Sequence, residues 1–482
     1  MNKRNILLIM TDQHRRDCLG CYGNPEIETP NLDWLASQGT VFERAYSPSP
    51  SCVPARACLM TGMNPWNTGV LGMGRGQKGM GNYPVTIASL LAQAGYHTQG
   101  VGKMHFRPQR ALLGFHNTVL DESGRVQSPG FESDYRRWFN ENKGADYEFV
   151  EHGIDWNSWI ARPYPLPEYL HPTNWTAREA IRFLDRRDPN RPFFLKLSFA
   201  RPHSPYDPPE YFFRLYENRT LPAPVTGEWD AEHRDADASA PDAWHGKHSD
   251  RETARARQAY YGSITHLDQQ IGRVLMYLKK KGLLEDTLIL FTSDHGDMLG
   301  DHYLWRKTYA YEGSAGIPLI VRLPESWGET RRSRCSQPVT LQDILPTFME
   351  AVGLPIPDGV DGRSLLPLMR AEDCAWREYL HGEHSANYSE SQEMQYLTDG
   401  QWKYIWFPRT GREQLFDLRQ DPGERFDLAG KPAYLPELGR WRSRLVAELE
   451  PRGLGLTEGG ELVCQAGRPP IVSPNCQKYR VD

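Results

Sequence analysis

Long apolar runs are missing from this chain of 482 residues. The first, residues 6–10 (ILLIM), is far shorter than the roughly 20 residues a bilayer-crossing helix needs, and Thr11 and Asp12 follow at once. Neither a membrane span nor a secretory leader is expected, so the chain as written reads as cytoplasmic. A surplus of positive charge is also missing. The formal net charge is −5, which excludes nucleic acid and anionic membranes as partners held by bulk charge. A small anionic ligand in a locally basic pocket stays open. The eight cysteines show no regular spacing, so there is no disulfide framework, and a chain this long does not need one. Cys18 and Cys21 form a lone Cys-x-x-Cys with Gly20 inside it and Gly23 just after, with no second pair at zinc-site spacing, and read as a turn. There is no internal repeat.

What is present is an alternation of strand and helix. Residues 6–10 are continuously apolar, as suits a parallel strand covered on both faces. Thr29 and Pro30 open a helix carrying Leu32, Leu35 and Ala36, which Gly39 ends. Ile87, Leu90, Leu91 and Ala94 give another helix, then a strand at 96–101. A helix at 177–184 leads to a strand at 193–199. A long helix carries Tyr260, Ile264, Leu267, Ile271, Leu275 and Leu278 on one face and feeds a strand at 288–291. A further buried strand is expected at 318–323. Thr340 and Asp343 look like a capping box before Ile344, Phe348 and Val352. This order predicts a mostly parallel α/β sheet flanked by helices. Residues 106–172 lack periodicity, and the aromatics from Trp138 to Trp175 read as packing for a long insertion, with the rim of a sugar pocket as the alternative. Residues 227–252 read as a mobile polar surface loop. Near 375 the texture changes to short aromatic runs around Tyr396, Trp402, Tyr404, Trp406 and Phe416, as in antiparallel strands. A helix at 434–449 and a Gly/Pro-rich tail follow. The expected division is a catalytic domain at 1–375 and a small α+β subdomain at 376–482.

Polar clusters follow the strands consistently: Asp12 and Gln13 after the first, Lys103 and His105 after 96–101, His203 after 193–199, Asp294 and His295 after 288–291. Ligands of open α/β sheets bind outside the carboxyl ends of the strands, so these clusters point to one edge. The sharpest motif is Ser51-Cys52-Val53-Pro54-Ala55-Arg56, which opens a helix. A helix N-terminus favours anions, and Arg56 adds a fixed cation one turn on. Asp12, Asp294 and the Gln13 amide oxygen are hard ligands suited to Ca²⁺ or Mg²⁺.

These residues resemble the formylglycine-dependent sulfatases of the alkaline phosphatase superfamily. The resemblance rests on Asp12, the Cys52 motif, Gly102-Lys103-Met104-His105, Arg201-Pro202-His203, Ser293-Asp294-His295-Gly296-Asp297, and Lys307 with Tyr311-Glu312-Gly313. It continues in Leu415-Phe416-Asp417-Leu418 and Asp421-Pro422-Gly423-Glu424. It implies an alkaline-phosphatase-like fold, a maturation enzyme that oxidises Cys52 to formylglycine, and hydrolysis of a sulfate monoester on a sugar or small organic alcohol. It also implies one divalent ion, Ca²⁺ first and Mg²⁺ or Mn²⁺ as alternatives, held by Asp12, Gln13, residue 52, Asp294 and His295. By the same resemblance Arg56 holds the formylglycine hydrate and His105 orients or deprotonates it. Lys103, His203 and Lys307 bind sulfate, and His203 or Lys307 protonates the leaving oxygen, with His302 next in line. The expected substrate is a small sulfated anion, and assembly into a homo-oligomer is left open. Three positions depart from the common pattern. Gln13 stands where many sulfatases have Asp, His295 where they have Asn, and Gly316 where Arg often precedes Ile-Pro. The Gln and His pair is similar to phosphonate monoester and phosphodiester hydrolases and to choline-sulfatase-like enzymes. Phosphonate or phosphodiester hydrolysis is therefore the first alternative, and a silent binder of sulfated ligands the second.

Overall fold

The computed structural model describes residues 4–73, 80–149, 153–327 and 332–480. Its centre is an eight-stranded sheet. The strands are β1 (Asn5–Asp12), β2 (Thr40–Tyr46), β3 (His97–Gly102), β4 (Asn117–Leu120), β5 (Phe193–Pro202), β6 (Thr287–Ser293), β7 (Leu319–Arg322) and β8 (Arg334–Thr340). Their order is β4-β3-β5-β1-β6-β7-β2-β8. Only β7 runs antiparallel to its neighbours, β6 and β2. β1 lies between β5 and β6, parallel to both.

The apolar run of β1 is explained by this position. Side chains alternate across a strand, so Ile6, Leu8 and Met10 face one layer and Leu7 and Ile9 the other. The first set packs with Phe194, Leu290 and helices Cys52–Thr61, Ile87–Gln93 and Ile344–Ala351. The second packs with Leu195, Leu197, Phe291 and helices Pro30–Ser37, Pro172–Arg186 and Asp250–Lys280. Both faces are dry, so both must be apolar. All eight β1 residues are buried.

A second, antiparallel sheet has the order β12-β11-β10-β9. It comprises β9 (Leu380–His384), β10 (Met394–Thr398), β11 (Trp402–Phe407) and β12 (Arg412–Asp417). Helix Leu435–Leu449 lays Leu438, Trp441, Leu445 and Leu449 on Leu397, Tyr404, Trp406 and Leu415. The tail then returns to the first sheet's side: Ser473 Oγ donates to the Trp66 carbonyl at 2.6 Å, and Asn82 N to that of Tyr479 at 3.0 Å.

The sequence reading missed β2, β4 and β8. β4 has four residues, and β8 lies at the sheet edge with a half-exposed pattern, so neither shows a clean period. Residues 227–252 are not simply a surface loop. Trp229 stacks on Tyr311 with ring centroids 4.7 Å apart and donates Nε1–H to the Glu424 carbonyl at 2.7 Å. The long helix begins inside this stretch at Asp250, capped by Ser249 and Glu252. The aromatics of 106–172 do pack, with Tyr135, Phe139, Tyr164 and Trp175 in one cluster.

Candidate active site

The carboxyl ends of β1, β3, β5 and β6 meet at Cys52. Asp12 is the last residue of β1, Lys103 and His105 follow β3, His203 follows β5, and Asp294 and His295 follow β6. Cys52 is the first residue of helix Cys52–Thr61, which starts from an extended Ser51. The Ser51 hydroxyl does not cap the helix but bonds His384 Nε2 at 2.7 Å, which brings β9 of the second sheet against this helix. Pro54 sits in the first turn, where a missing N–H costs no helical bond.

The Cys52 thiol is buried. Lys307 Nζ lies 3.2 Å from it, His295 Nε2 3.3 Å, Lys103 Nζ 3.5 Å and Asp12 Oδ1 3.6 Å. Lys103 Nζ also bonds Asp12 Oδ2. Burial and the Asp12 carboxylate would raise the thiol's pKa, yet Lys103, Lys307 and His295 hold it well below the ordinary value. Burial likewise opposes ionisation of Asp12, but Lys103, His203, Lys307 and Arg56 keep its pKa low. Lys307 stays high against its burial because the Cys52 and Asp12 charges favour the cation. His203 is pushed well down by burial and then by Lys307. The site is thus a dry pocket biased towards binding an anion.

Asp12, Cys52, Asp294 and His295 each offer a ligand atom, and these atoms all lie within 4.8 Å of one another. Gln13 completes the group. Its backbone is left-handed at φ 66°, its N donates to Asp294 Oδ1 at 3.1 Å, and its Nε2 donates to Asp297 Oδ2 at 2.6 Å. The amide is thereby fixed with Oε1 buried and without a hydrogen-bond partner. Two carboxylates and an imidazole this close together, with a buried amide oxygen left open on the neighbouring residue, fit a divalent cation.

Two expected residues, Arg56 and His302, sit differently from expectation. Arg56 does not reach towards Cys52. Its Nε donates to Asp294 Oδ2 at 2.9 Å, one Nη to the Lys103 carbonyl at 2.6 Å and to Ser198 Oγ at 2.9 Å, and the other pairs with Asp12 Oδ2 at 3.5 Å. It braces the two carboxylates. His302 is not in the cluster: it bonds the Gly423 carbonyl at 3.1 Å, faces Asp230 at 3.4 Å and packs on Trp229. Both its nitrogens are engaged there. His105 is buried with neither ring nitrogen paired, and its backbone is left-handed at φ 62°. Burial and then Arg125 and Lys103 hold it neutral.

Further residues beyond the expected set shape the site. Asp297 closes the motif that follows β6. It takes Gln13 Nε2, Tyr206 OH at 2.5 Å, and the Leu299 and Arg306 amides. Glu122 Oε1 accepts from Met104 N at 3.0 Å and His105 N at 2.9 Å, so it sets the Lys103–His105 turn. Ser198 and His384 had no local signal, because only the assembled sheets place them.

Comparison with known proteins agrees with this geometry. The family model described as Sulfatase matches residues 4–354, and that of N-sulphoglucosamine sulphohydrolase, C-terminal, matches 300–449. An arylsulfatase of Clostridium perfringens is 44% identical over 476 residues, covering 96% of this chain and 97% of that protein. A choline-sulfatase of Rhizobium meliloti is 30% identical over 440 residues, covering 89% and 83%. Among solved structures, a phosphonate monoester hydrolase of Agrobacterium radiobacter superposes with a TM-score of 0.78 at 25% identity, covering 98% and 99%.

Proposed function

The chain belongs to the sulfatase family and is a sulfuric ester hydrolase, and from that premise we propose that it cleaves a sugar or small organic sulfate at a formylglycine made from Cys52. The observation that carries this reading is the meeting of Lys103, Lys307, His295 and Asp12 around one buried sulfur at a helix N-terminus. On this reading a maturation enzyme is a required partner. Residues 1–375 form the catalytic unit, and residues 376–482 close it from the β9 side. Among the described residues no helix is long and apolar enough to cross a membrane.

Asp12, Gln13, Asp294 and His295 would hold the divalent ion. The oxygen donors favour Ca²⁺ or Mg²⁺, and the His295 nitrogen extends the range to Mn²⁺. Bound there, the ion supplies polarisation of the sulfate oxygens, and the formylglycine supplies a hydroxyl nucleophile that regenerates itself. The remaining work falls to side chains. Lys103 and Lys307 hold the sulfate charge in a dry pocket, where it counts most. Arg56 helps keep Asp12 ionised and holds Asp12 and Asp294 in place. His203 Nδ1 faces the Ser204 carbonyl at 2.7 Å, which fixes the ring and leaves Nε2 as the atom that carries a catalytic proton. An arriving sulfate monoanion favours the imidazolium, so His203 gains its proton as substrate binds and gives it to the leaving oxygen.

Phosphonate or phosphodiester hydrolysis is the second reading, favoured by Gln13 and His295 and by the superposition on a phosphonate monoester hydrolase. One experiment addresses both. Matured protein, with loss of the Cys52 thiol confirmed by mass spectrometry, is assayed on matched aryl sulfate and aryl phosphonate. The expected result is a higher kcat/KM for sulfate. A preference for phosphonate reverses the order of the readings, and full sulfatase activity with an intact thiol refutes the formylglycine reading.

A further inference from the structure

Arg125 is buried, at 6% exposure, and it has no carboxylate partner among the described residues. Its one side-chain hydrogen bond is long, from Nη1 to the Glu122 carbonyl at 3.5 Å. A buried cation without a counter-charge is costly, and an arriving anion would offset that cost. The other arginines at the site are satisfied: Arg56 by two aspartates and Arg201 by both oxygens of Asp207.

The surroundings of Arg125 are built rather than incidental. Its guanidinium lies 4.0 Å over the Trp156 ring. The Trp156 carbonyl accepts from Ser204 Oγ at 2.7 Å, one residue from His203. On the other side, Arg125 N bonds the carbonyl of Glu122, the residue whose carboxylate holds the Met104 and His105 amides, and Gln109 Nε2 fixes the Arg125 carbonyl at 3.0 Å. Arg125 is therefore clamped between the turn carrying Lys103 and His105 and the turn carrying His203. Its charge bears on Lys103, His105, His203 and Lys307. It makes no contact with Cys52, which Lys103 and Lys307 already approach.

Resting on the sulfatase reading, we infer that Arg125 on its Trp156 platform is a specificity-determining residue that receives a second anionic group, a carboxylate or another sulfate, carried by the leaving alcohol. The guanidinium fork suits either oxyanion. The same charge rejects cationic alcohols of the choline type, since like charges in a dry site repel.

The test compares nitrophenyl sulfate with a ring-carboxylated nitrophenyl sulfate and, separately, monosulfated with disulfated sugar substrates, in wild type, Arg125→Gln and Arg125→Lys. Each enzyme's preference is read as a ratio, which cancels any effect common to both substrates. The expected result is that Arg125→Gln loses roughly 10- to 100-fold more kcat/KM on the dianionic member of each pair, mostly through KM, as suits one charged hydrogen-bonding contact. Arg125→Lys retains the charge without the fork and falls between. If only the carboxylated or only the disulfated pair responds, that anion is the one received. Binding of the dianionic sugar to Cys52→Ala protein, with and without Arg125→Gln, reads the contact without turnover and should weaken by a similar factor. An equal loss on both members of each pair would place Arg125 on the reacting sulfate and overturn the inference, as would a wild-type enzyme that prefers choline sulfate. Absence of sulfatase activity in matured wild type would instead sink the sulfatase reading itself.

Discussion

Two buried charged clusters of this molecule use the same side-chain chemistry and differ in how completely it is closed. At the seam between the sheets, Lys403 Nζ bonds Glu312 Oε1 at 2.7 Å and Glu424 Oε1 at 2.8 Å. Arg16 donates to Glu312 Oε2 and Glu312 N donates to Glu424 Oε2 at 2.7 Å, so all four carboxylate oxygens are used and, of this cluster's side-chain atoms, Arg16 Nη1 is left without a partner. At the carboxyl ends of β1, β3, β5 and β6 the balance is left open. Gln13 Oε1, His203 Nε2 and both His105 nitrogens lack partners, and Arg125 has no counter-ion among the described residues. Buried polar groups are normally satisfied. A closed cluster holds the fold, and an open one is reserved for what binds. Burial and charge alone would not separate the two.

The comparison breaks most visibly at Cys52. Cys52→Ala should lower turnover by on the order of 10⁴–10⁶-fold, as removal of a nucleophile does, while the melting temperature moves little, because the change takes one small group from a site built for ligands. A large stability loss in calorimetry would contradict the division. Next comes His203→Ala. General acid catalysis is worth about 10²–10⁴-fold, so hydrolysis of sugar sulfates should fall by that range and hydrolysis of nitrophenyl sulfate, whose leaving group needs no proton, by much less. Equal losses would assign His203 to sulfate binding alone, and a selective loss in Lys307→Ala would exchange the two roles.

The seam should respond in the opposite manner. Lys403→Met leaves two buried carboxylates facing each other and should cost about 3–5 kcal/mol of stability, the usual cost of breaking a buried pair. Where the variant is folded its kcat should stay near wild type, measured beside a urea titration. The smallest effect is a pH dependence. Burial opposes the Glu312 charge, but Lys403 and Arg16 lower its pKa to about 2 from 4.5. Its stabilising contribution is therefore complete above pH 4.5 and lost as pH falls towards 2. Glu424, raised chiefly by burial, works in the opposite direction and offsets part of this. The urea-midpoint difference between wild type and Glu312→Gln should shrink as pH falls from 5 to 2. A difference that grows with acid would show that Glu424 dominates.

Much of this was legible in the sequence, for identifiable reasons. Residues 6–10 announce a two-sided strand because both faces of β1 are apolar, and strand ends bearing Asp12, Lys103, His203 and Asp294 announce an edge because parallel sheets put their loops there. The Cys52 motif is local and survives without a structure. Side-chain direction was not legible. Arg56 one turn from Cys52 turns to Asp294 instead. His302, close to Lys307 in sequence, is drawn off by Trp229 and Gly423. Arg125 and Glu122 lie in a stretch without periodicity, and their meaning depends on Trp156 and on the amides of Met104 and His105. Long-range contacts decide each case, and no spacing rule carries them.

The position of β1 sets an order of events. Ile6 pairs with Phe194 on one side and Leu288 on the other. Of the strands described in this sheet, the earliest in the chain is thus a central one, and both its neighbours come from much later. A ribosome finishes Asp12 and Cys52 long before it supplies His203 or Asp294, and synthesis runs at about 5–20 residues per second. Pairings this distant in sequence are slow to close. During that interval the apolar β1 stays uncovered, exposed to chaperones and to aggregation, and the pocket around Cys52 is among the last parts of the sheet to be assembled.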